Sequence, residues 1–200
     1  MGQIKVTPCP IEGLYIIEPT VHGDARGYFM EAYNLRDMHE AGLDLNFVQD
    51  NQNMSTKGVL RGLHFQKKHP QGKLVRVLQG CVFDVAVDLR AGSKTFGQWY
   101  GVELTAENKK QFYISEGFAH GFLVLSDTAE FFYKCTDYYT PGDEGGLAWN
   151  DPTINVQWPD VVGNYNGSAS AEGYTLSDGT PLNLSEKDQN WLQLTDTFRF

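Results

Sequence analysis

The chain is poor in cysteine and in basic charge, and it has no long apolar run. Its three cysteines, Cys9, Cys81 and Cys135, form an odd set without metal-ligand spacing, which does not read as a disulfide framework or a zinc site. Sixteen Lys and Arg stand against 25 Asp and Glu, a formal net charge of -9. Affinity for a phosphate backbone or an anionic membrane needs clustered cations, so neither nucleic acid nor membrane is an expected partner. Any anionic ligand has to be met by a few basic side chains gathered in one place. No apolar run approaches the roughly 20 residues that cross a bilayer. The first residues lack the charged segment and apolar stretch of a signal peptide, so a cytoplasmic protein is expected. The P-loop, the dinucleotide glycine fingerprint, the Gly-x-Ser-x-Gly elbow and His-Glu-x-x-His are all missing. Their absence takes weight from phosphoryl transfer on a P-loop, hydride transfer on a Rossmann domain and serine-based hydrolysis.

What is present reads as strand almost throughout. The 200 residues are 41% hydrophobic and 13% aromatic, with 21 Gly. Short apolar runs sit between turn signals at fairly regular spacing, the pattern of an all-β sandwich or barrel of one-domain length. Cys81 to Arg90 is the clearest strand. Alternation puts Cys81, Phe83, Val85, Val87 and Leu89 on a core face, and Val82, Asp84, Ala86, Asp88 and Arg90 on the other. That second face is either a solvated sheet surface or the polar lining of a barrel mouth. Further strands are expected at Leu74–Leu78, Trp99–Leu104, Phe112–Ile114, Gly121–Leu125 and Glu130–Asp137. Helical signals are few and short: Asn34 can cap a turn through Leu35 and Met38, and Ser185 can cap another near the C-terminus. Residues 163–181, rich in Gly, Ser and Asn, read as a long surface loop or small flap inserted in the domain 1–200.

The chemistry-bearing residues lie in apolar strand context. His64 sits among Leu60, Leu63 and Phe65; strict alternation would put Leu60, Gly62, His64 and Gln66 on one face, and Arg61, Leu63 and Phe65 on the other. His120 lies in a similar Gly-flanked segment. A lone histidine in such a run is usually a satisfied core residue. Two of them, with Lys73 and Arg76 near in sequence, make a general-base site plausible. Two histidines on neighbouring strands could also hold a divalent ion, but no His-x-His pair exists and His64 to His69 is the wrong spacing for one strand face. Alternation groups Tyr133 with Phe131 and Cys135; its phenol is either a hydrogen-bonded core group or an acid facing a dry cavity.

At these positions the sequence resembles the dTDP-4-dehydrorhamnose 3,5-epimerase family. The resemblance is carried by Gly23-Asp24-Ala25-Arg26-Gly27, Phe47-Val48-Gln49-Asp50-Asn51, Gly58-Val59-Leu60-Arg61-Gly62-Leu63-His64-Phe65-Gln66, Gln71-Gly72-Lys73-Leu74-Val75-Arg76-Val77, the strand from Val82 to Arg90, Thr95-Phe96-Gly97, Glu116 to Leu125, Tyr133-Lys134 with Asp137-Tyr138-Tyr139, and Leu184-Ser185-Glu186-Lys187-Asp188. It implies an all-β cupin-type jelly-roll barrel with a few short helices, a homodimer, and no metal or redox cofactor. The implied substrate is a dTDP-4-keto-6-deoxy sugar, inverted at C3 and C5 on the way to dTDP-L-rhamnose. Among catalytic positions it implies His64 as base, Asp188 as its orienting carboxylate, Tyr133 as acid on the opposite ring face, and Lys73 near the C4 oxygen. Positions matched to nucleotide-sugar binding are Arg26, Glu31, Gln49, Asp50, Asn51, Arg61, Lys73, His120, Glu144 and Lys187. Two features depart from the family pattern: Ser115 stands where Pro is usual, and the 163–181 stretch is longer than the typical connection.

The residue types fit that chemistry on their own terms. A C4 ketone acidifies the hydrogens on C3 and C5, and reprotonating the enolate from the other face inverts the centre. This needs a base, an acid opposite it, and a cation at the developing oxyanion. Three other readings remain: a barrel inverting a single centre, a metal-dependent cupin enzyme, and a noncatalytic sugar-binding barrel.

Overall fold

The computed structural model describes residues 3–200. In chain order the elements are β1 (Ile4–Pro8), β2 (Leu14–Pro19), β3 (Val21–Asp24), β4 (Gly27–Met30), α1 (Leu35–Glu40), β5 (Gln49–Thr56), β6 (Leu60–Gln66), β7 (Lys73–Gln79), β8 (Cys81–Asp88), β9 (Trp99–Thr105), β10 (Gln111–Ile114), β11 (Phe118–Val124), β12 (Thr128–Cys135), β13 (Glu144–Gly146), β14 (Val161–Val162), β15 (Thr175–Leu176) and a single 3₁₀ turn, Asp188–Asn190. The expected strands are all there. Asn34 caps α1 by accepting from the backbone N–H groups of Arg36 and Asp37. Near the C-terminus the Ser185 hydroxyl accepts from the Asp188 N–H, as a cap would, but only the 3₁₀ turn follows it. Among the described residues no helix is long and apolar enough to cross a membrane.

Two antiparallel sheets form the cupin-type jelly-roll barrel. One runs β1-β2-β10-β7-β12-β5 and the other β13-β6-β11-β8-β9. Their inner faces interdigitate: Val75, Val77, Phe112, Ile114 and Phe131 from the first sheet meet Val82, Ala86, Leu104, Phe122 and Val124 from the second. The outer face of the second sheet is also covered. Leu60, Leu63, Phe65, Val85, Val87 and Leu123 pack under the C-terminal segment, which brings Trp149, Trp158, Tyr174 and Leu182. Outside the first sheet, Met38 of α1 with Leu43 and Leu45 covers Ile17, Leu74 and Tyr113. Both faces of β8 are therefore buried, and Asp84 and Asp88 have no exposed surface. The solvated-face reading of that strand does not hold, because a second layer lies on each side of it.

Residues 163–181 are more than a surface loop. Val161 pairs with Leu176 and Val162 with Thr175. Ala169, Tyr174 and Leu176 are buried in the same cluster as the outer face of β6 and β8, and Lys57 ties the far end through a 2.5 Å ion pair to Asp178. Three apolar side chains spaced irregularly through a Gly- and Ser-rich stretch leave no period to read in sequence. At position 115, the Ser115 N–H donates to the Gly13 carbonyl, a bond that proline could not make.

Candidate active site

Backbone geometry on β6 brings the basic residues to one face. The pairing of β6 with β11 runs His64↔His120 and then Arg61↔Phe122, so β6 holds one extra residue over this step. A bulge of this kind re-aims the side chains that flank it. Leu60, Leu63 and Phe65 go to the outer core. Arg61, though solvent-exposed, turns to the same side as His64, where its Nε donates to Ser55 Oγ at 3.0 Å, and His64 lies beside His120. Alternation from sequence had placed Arg61 and His64 on opposite faces; the extra residue corrects that. The bulge requires glycine. Gly62 sits at φ +128°, and a Cβ there would lie 2.6 Å from the Gly121 Cα of the facing strand.

His64 Nε2–H donates to Asp188 Oδ1 at 2.5 Å. Asp188 is buried at 3% exposure and its Oδ1 also accepts from Trp191 Nε1 at 3.1 Å. Burial works against the charge of this carboxylate, but the bonds from His64 and Trp191 outweigh it and hold its pKa below the ordinary carboxyl value. The bond at Nε2 fixes the tautomer, which leaves Nδ1 as the free base of the ring. Such a pair takes up a proton at Nδ1 and stabilises the resulting imidazolium.

Deeper in the barrel, His120 Nε2 lies 3.0 and 2.9 Å from the two carboxylate oxygens of Asp84. The pair has almost no solvent contact. Burial pushes the His120 imidazole down and the Asp84 carboxyl up, so the forms carrying less charge are favoured. Lys73, the first residue of β7, enters the same interior face as Val75 and Val77. Its ammonium lies 6.0 Å from the Tyr133 ring centre and has no ion-pair partner among the described residues. Burial lowers its affinity for a proton, with Cys135, Asp84 and Glu144 acting in the other direction. Tyr133, Phe131 and Cys135 share the inner face of β12, as alternation predicts. Burial raises the Tyr133 phenol above its ordinary value, so it stays protonated as an acid must.

Gln49 and Asn51 alternate onto the inner half of β5 and bond to each other, Nε2 to Oδ1, at 3.1 Å. Lys187 pairs with Glu144 at 2.8 Å, and Glu144 lies opposite Gln66 in the β13–β6 ladder. Three predicted positions stand apart from this cluster in a single chain. Asp50 alternates to the outer face of β5 and pairs there with Lys134 at 2.8 Å. Arg26 is at the tip of the β3–β4 hairpin, its side chain 90% exposed and paired to Asp24. Glu31 accepts from the Asn34 side-chain amide beside α1. Asp84 and Trp191 are members of the site that sequence reasoning did not single out. For Asp84 the signal was there, a carboxylate within an apolar strand. Trp191 lies in a stretch without periodicity and offered none. Among the described residues no three His, Cys, Asp or Glu side chains come together as a metal-binding set.

The model of the dTDP-4-dehydrorhamnose 3,5-epimerase family matches residues 8–196. The chain is 48% identical over 196 residues to the dTDP-4-dehydrorhamnose 3,5-epimerase of Methanothermobacter thermautotrophicus, covering 98% of this chain and 97% of that one. It is 50% identical over 183 residues to the enzyme of that name from Escherichia coli, covering 90% and 99%. Among solved structures it is similar to a dTDP-6-deoxy-D-glucose-3,5-epimerase from Legionella pneumophila in complex with dTDP-4-keto-L-rhamnose, at TM-score 0.85 and 47% identity, covering 96% and 94%. A match of this extent, on a barrel that gathers His64, Asp188, Lys73 and Tyr133 at one end, leaves one conclusion: the chain belongs to the dTDP-4-dehydrorhamnose 3,5-epimerase family of isomerases.

Proposed function

We propose that this protein inverts C3 and C5 of dTDP-4-keto-6-deoxy-D-glucose, giving dTDP-4-keto-L-rhamnose for dTDP-L-rhamnose synthesis. His64 Nδ1 removes the proton next to the C4 ketone, and Asp188 steadies the imidazolium through the 2.5 Å bond at Nε2. The electron pair moves onto the C4 oxygen, where Lys73 supplies positive charge at short range in a dry interior. Tyr133 then delivers a proton to the opposite ring face; the His64 imidazolium gives its proton to solvent and solvent returns one to the Tyr133 phenolate, which resets both groups. The same cycle at the second carbon completes the double inversion. Arg61 and Lys187 meet the diphosphate, while Gln49, Asn51, His120 and Glu144 hold the sugar and nucleoside. The observation that carries the reading is a pairing of opposites: a histidine base backed by a buried carboxylate shares the barrel end with a lysine that has no ion-pair partner among the described residues.

The proposal includes a second copy of the chain. Among the described residues the β3–β4 hairpin forms a sheet of its own two strands, and it presents Tyr28 at 60% and Phe29 at 68% exposure. Aromatic surface of this kind is normally covered by a partner. A homodimer packed there would carry Arg26 and Glu31 to a barrel mouth they do not reach in their own chain.

The test is an NMR time course of dTDP-4-keto-6-deoxy-D-glucose with the protein in deuterated water, without added cofactor, coupled to a 4-keto reductase. Deuterium at both C3 and C5 and a rhamnose product is the expected result. Exchange or inversion at one centre alone would make it a mono-epimerase. No exchange would overturn the epimerase reading.

A further inference from the structure

Trp191 stands three residues after Asp188 and has no part in the steps above. Its Nε1–H donates to Asp188 Oδ1 at 3.1 Å, the same oxygen that accepts from His64 Nε2. Its ring meets the imidazole of His64 edge-on, with centroids 6.0 Å apart and planes at 74°. Room for the indole exists because position 146 is glycine. A Cβ at Gly146 would lie 2.1 Å from the indole Cδ2, and Gly146 is the β13 partner of His64. The indole is thus wedged against the base, its carboxylate and the strand beside them.

We infer that Trp191 is a positioning residue that sets how strongly Asp188 supports His64. Two donors share one carboxylate oxygen. The indole N–H draws negative charge toward itself and weakens the hold of that oxygen on an imidazolium at the other donor. Without the indole N–H, the carboxylate favours the protonated ring more, so the base is silenced at a higher pH. The indole therefore keeps His64 free as a base further into the acid range. The kinetic part of this inference rests on the epimerase reading; the titration part does not.

The test uses two variants of the full chain. Trp191→Phe keeps the ring and removes the N–H, while Gly146→Ala pushes the indole off its seat. For each, kcat/KM on dTDP-4-keto-6-deoxy-D-glucose is measured against pH, and the His64 imidazole resonances are followed against pH in ligand-free protein. Of the other titratable groups of the cluster, His120 with Asp84, Lys73, Arg61 and Tyr133 keep their partners in Trp191→Phe, and Lys187, whose ammonium lies 5.9 Å from the Trp191 ring centre, keeps an aromatic face and its Glu144 pair. In that variant the acid limb and the imidazole titration should both move up by about 0.5 pH unit, less than the roughly one unit that a lost hydrogen bond to a charged acceptor is worth, because the indole acts on His64 only through Asp188. Gly146→Ala should move both in the same direction. Unmoved limbs and titrations in both folded variants would overturn the inference. Absence of turnover by the unsubstituted protein would overturn the proposed function instead, and the imidazole titration would still decide the role of Trp191.

Discussion

His64 and Tyr133 serve opposite half-steps in the proposed reaction, so their substitutions separate cleanly. His64→Ala removes the base and should lower both C3 and C5 deuterium exchange by roughly 10³-fold, with binding of dTDP nearly unchanged by calorimetry. Tyr133→Phe leaves the base in place. Deuterium wash-in should persist within about tenfold while inverted product falls about 100-fold; equal loss of both would remove Tyr133 from the acid role. Lys73 gives the pH signature. Burial lowers its proton affinity and raises those of Tyr133 and Cys135. Lys73 and Tyr133 both work protonated, but burial moves Lys73 down and Tyr133 up, so Lys73 is the one whose working form is lost below its ordinary value of about 10.4 as pH rises. An alkaline limb in the kcat profile should therefore sit below that value, and it should vanish from the residual activity of Lys73→Arg, whose charge persists.

Strand geometry decides which of these side chains can meet. The extra residue on β6 is held by two glycines facing each other, Gly62 and Gly121. Gly62→Ala forces a side chain into a left-handed backbone position against the neighbouring strand. It should cost about 2–3 kcal/mol and lower the thermal midpoint by roughly 5–10 °C, with activity falling further because Arg61 and His64 lose their common face. The end of β8 makes a separate prediction. Burial opposes the charge on Asp88, but hydrogen bonds from Arg90, Ser93 and Thr95 outweigh it and hold the carboxyl down at about 2. A carboxyl with a depressed folded-state value stabilises the fold above its unfolded value near 4 and loses that contribution as pH falls through the folded value. Asp88 should thus contribute about 2 kcal/mol at neutral pH, lost between about pH 4 and pH 2. Urea melts of Asp88→Asn beside the unsubstituted chain should differ at pH 7 and converge near pH 2.

At the scale of the whole molecule, the proposed dimer is what would bring Arg26 to a barrel mouth. The hairpin bearing Arg26 exposes Tyr28 and Phe29, and the proposed dimer covers them. Tyr28→Glu should give a monomer by light scattering and lower kcat/KM at least about tenfold, since a buried charge disfavours the interface and the partner's mouth loses Arg26. A monomer with full activity would separate the hairpin from the site. Lys73, Tyr133 and the two histidines lie on inward faces of a barrel whose outer faces are themselves covered, so packed layers on both sides hold the strands that carry them.

Much of this was legible in the residues. Alternation located the strands and grouped Tyr133 with Phe131 and Cys135, because a pleated strand has a fixed period of two. Asn34 announced α1 because a cap is a local bond. The motifs around Arg61, Lys73, His120 and Asp188 pointed to the family, and with it the barrel and the chemistry. Tertiary structure decided the rest. The β6 bulge turned Arg61 and His64 to one face, which no strict alternation allows. Layers on both sides of β8 buried Asp84 against His120. Tyr174 and Leu176 anchored a stretch that looked like open loop, and the path of the chain after Asp188 brought Trp191 back onto the carboxylate. The first three depend on contacts between distant segments, which leave no period along the chain; the last is a local contact across the 3₁₀ turn Asp188–Asn190, in a stretch too short to show one.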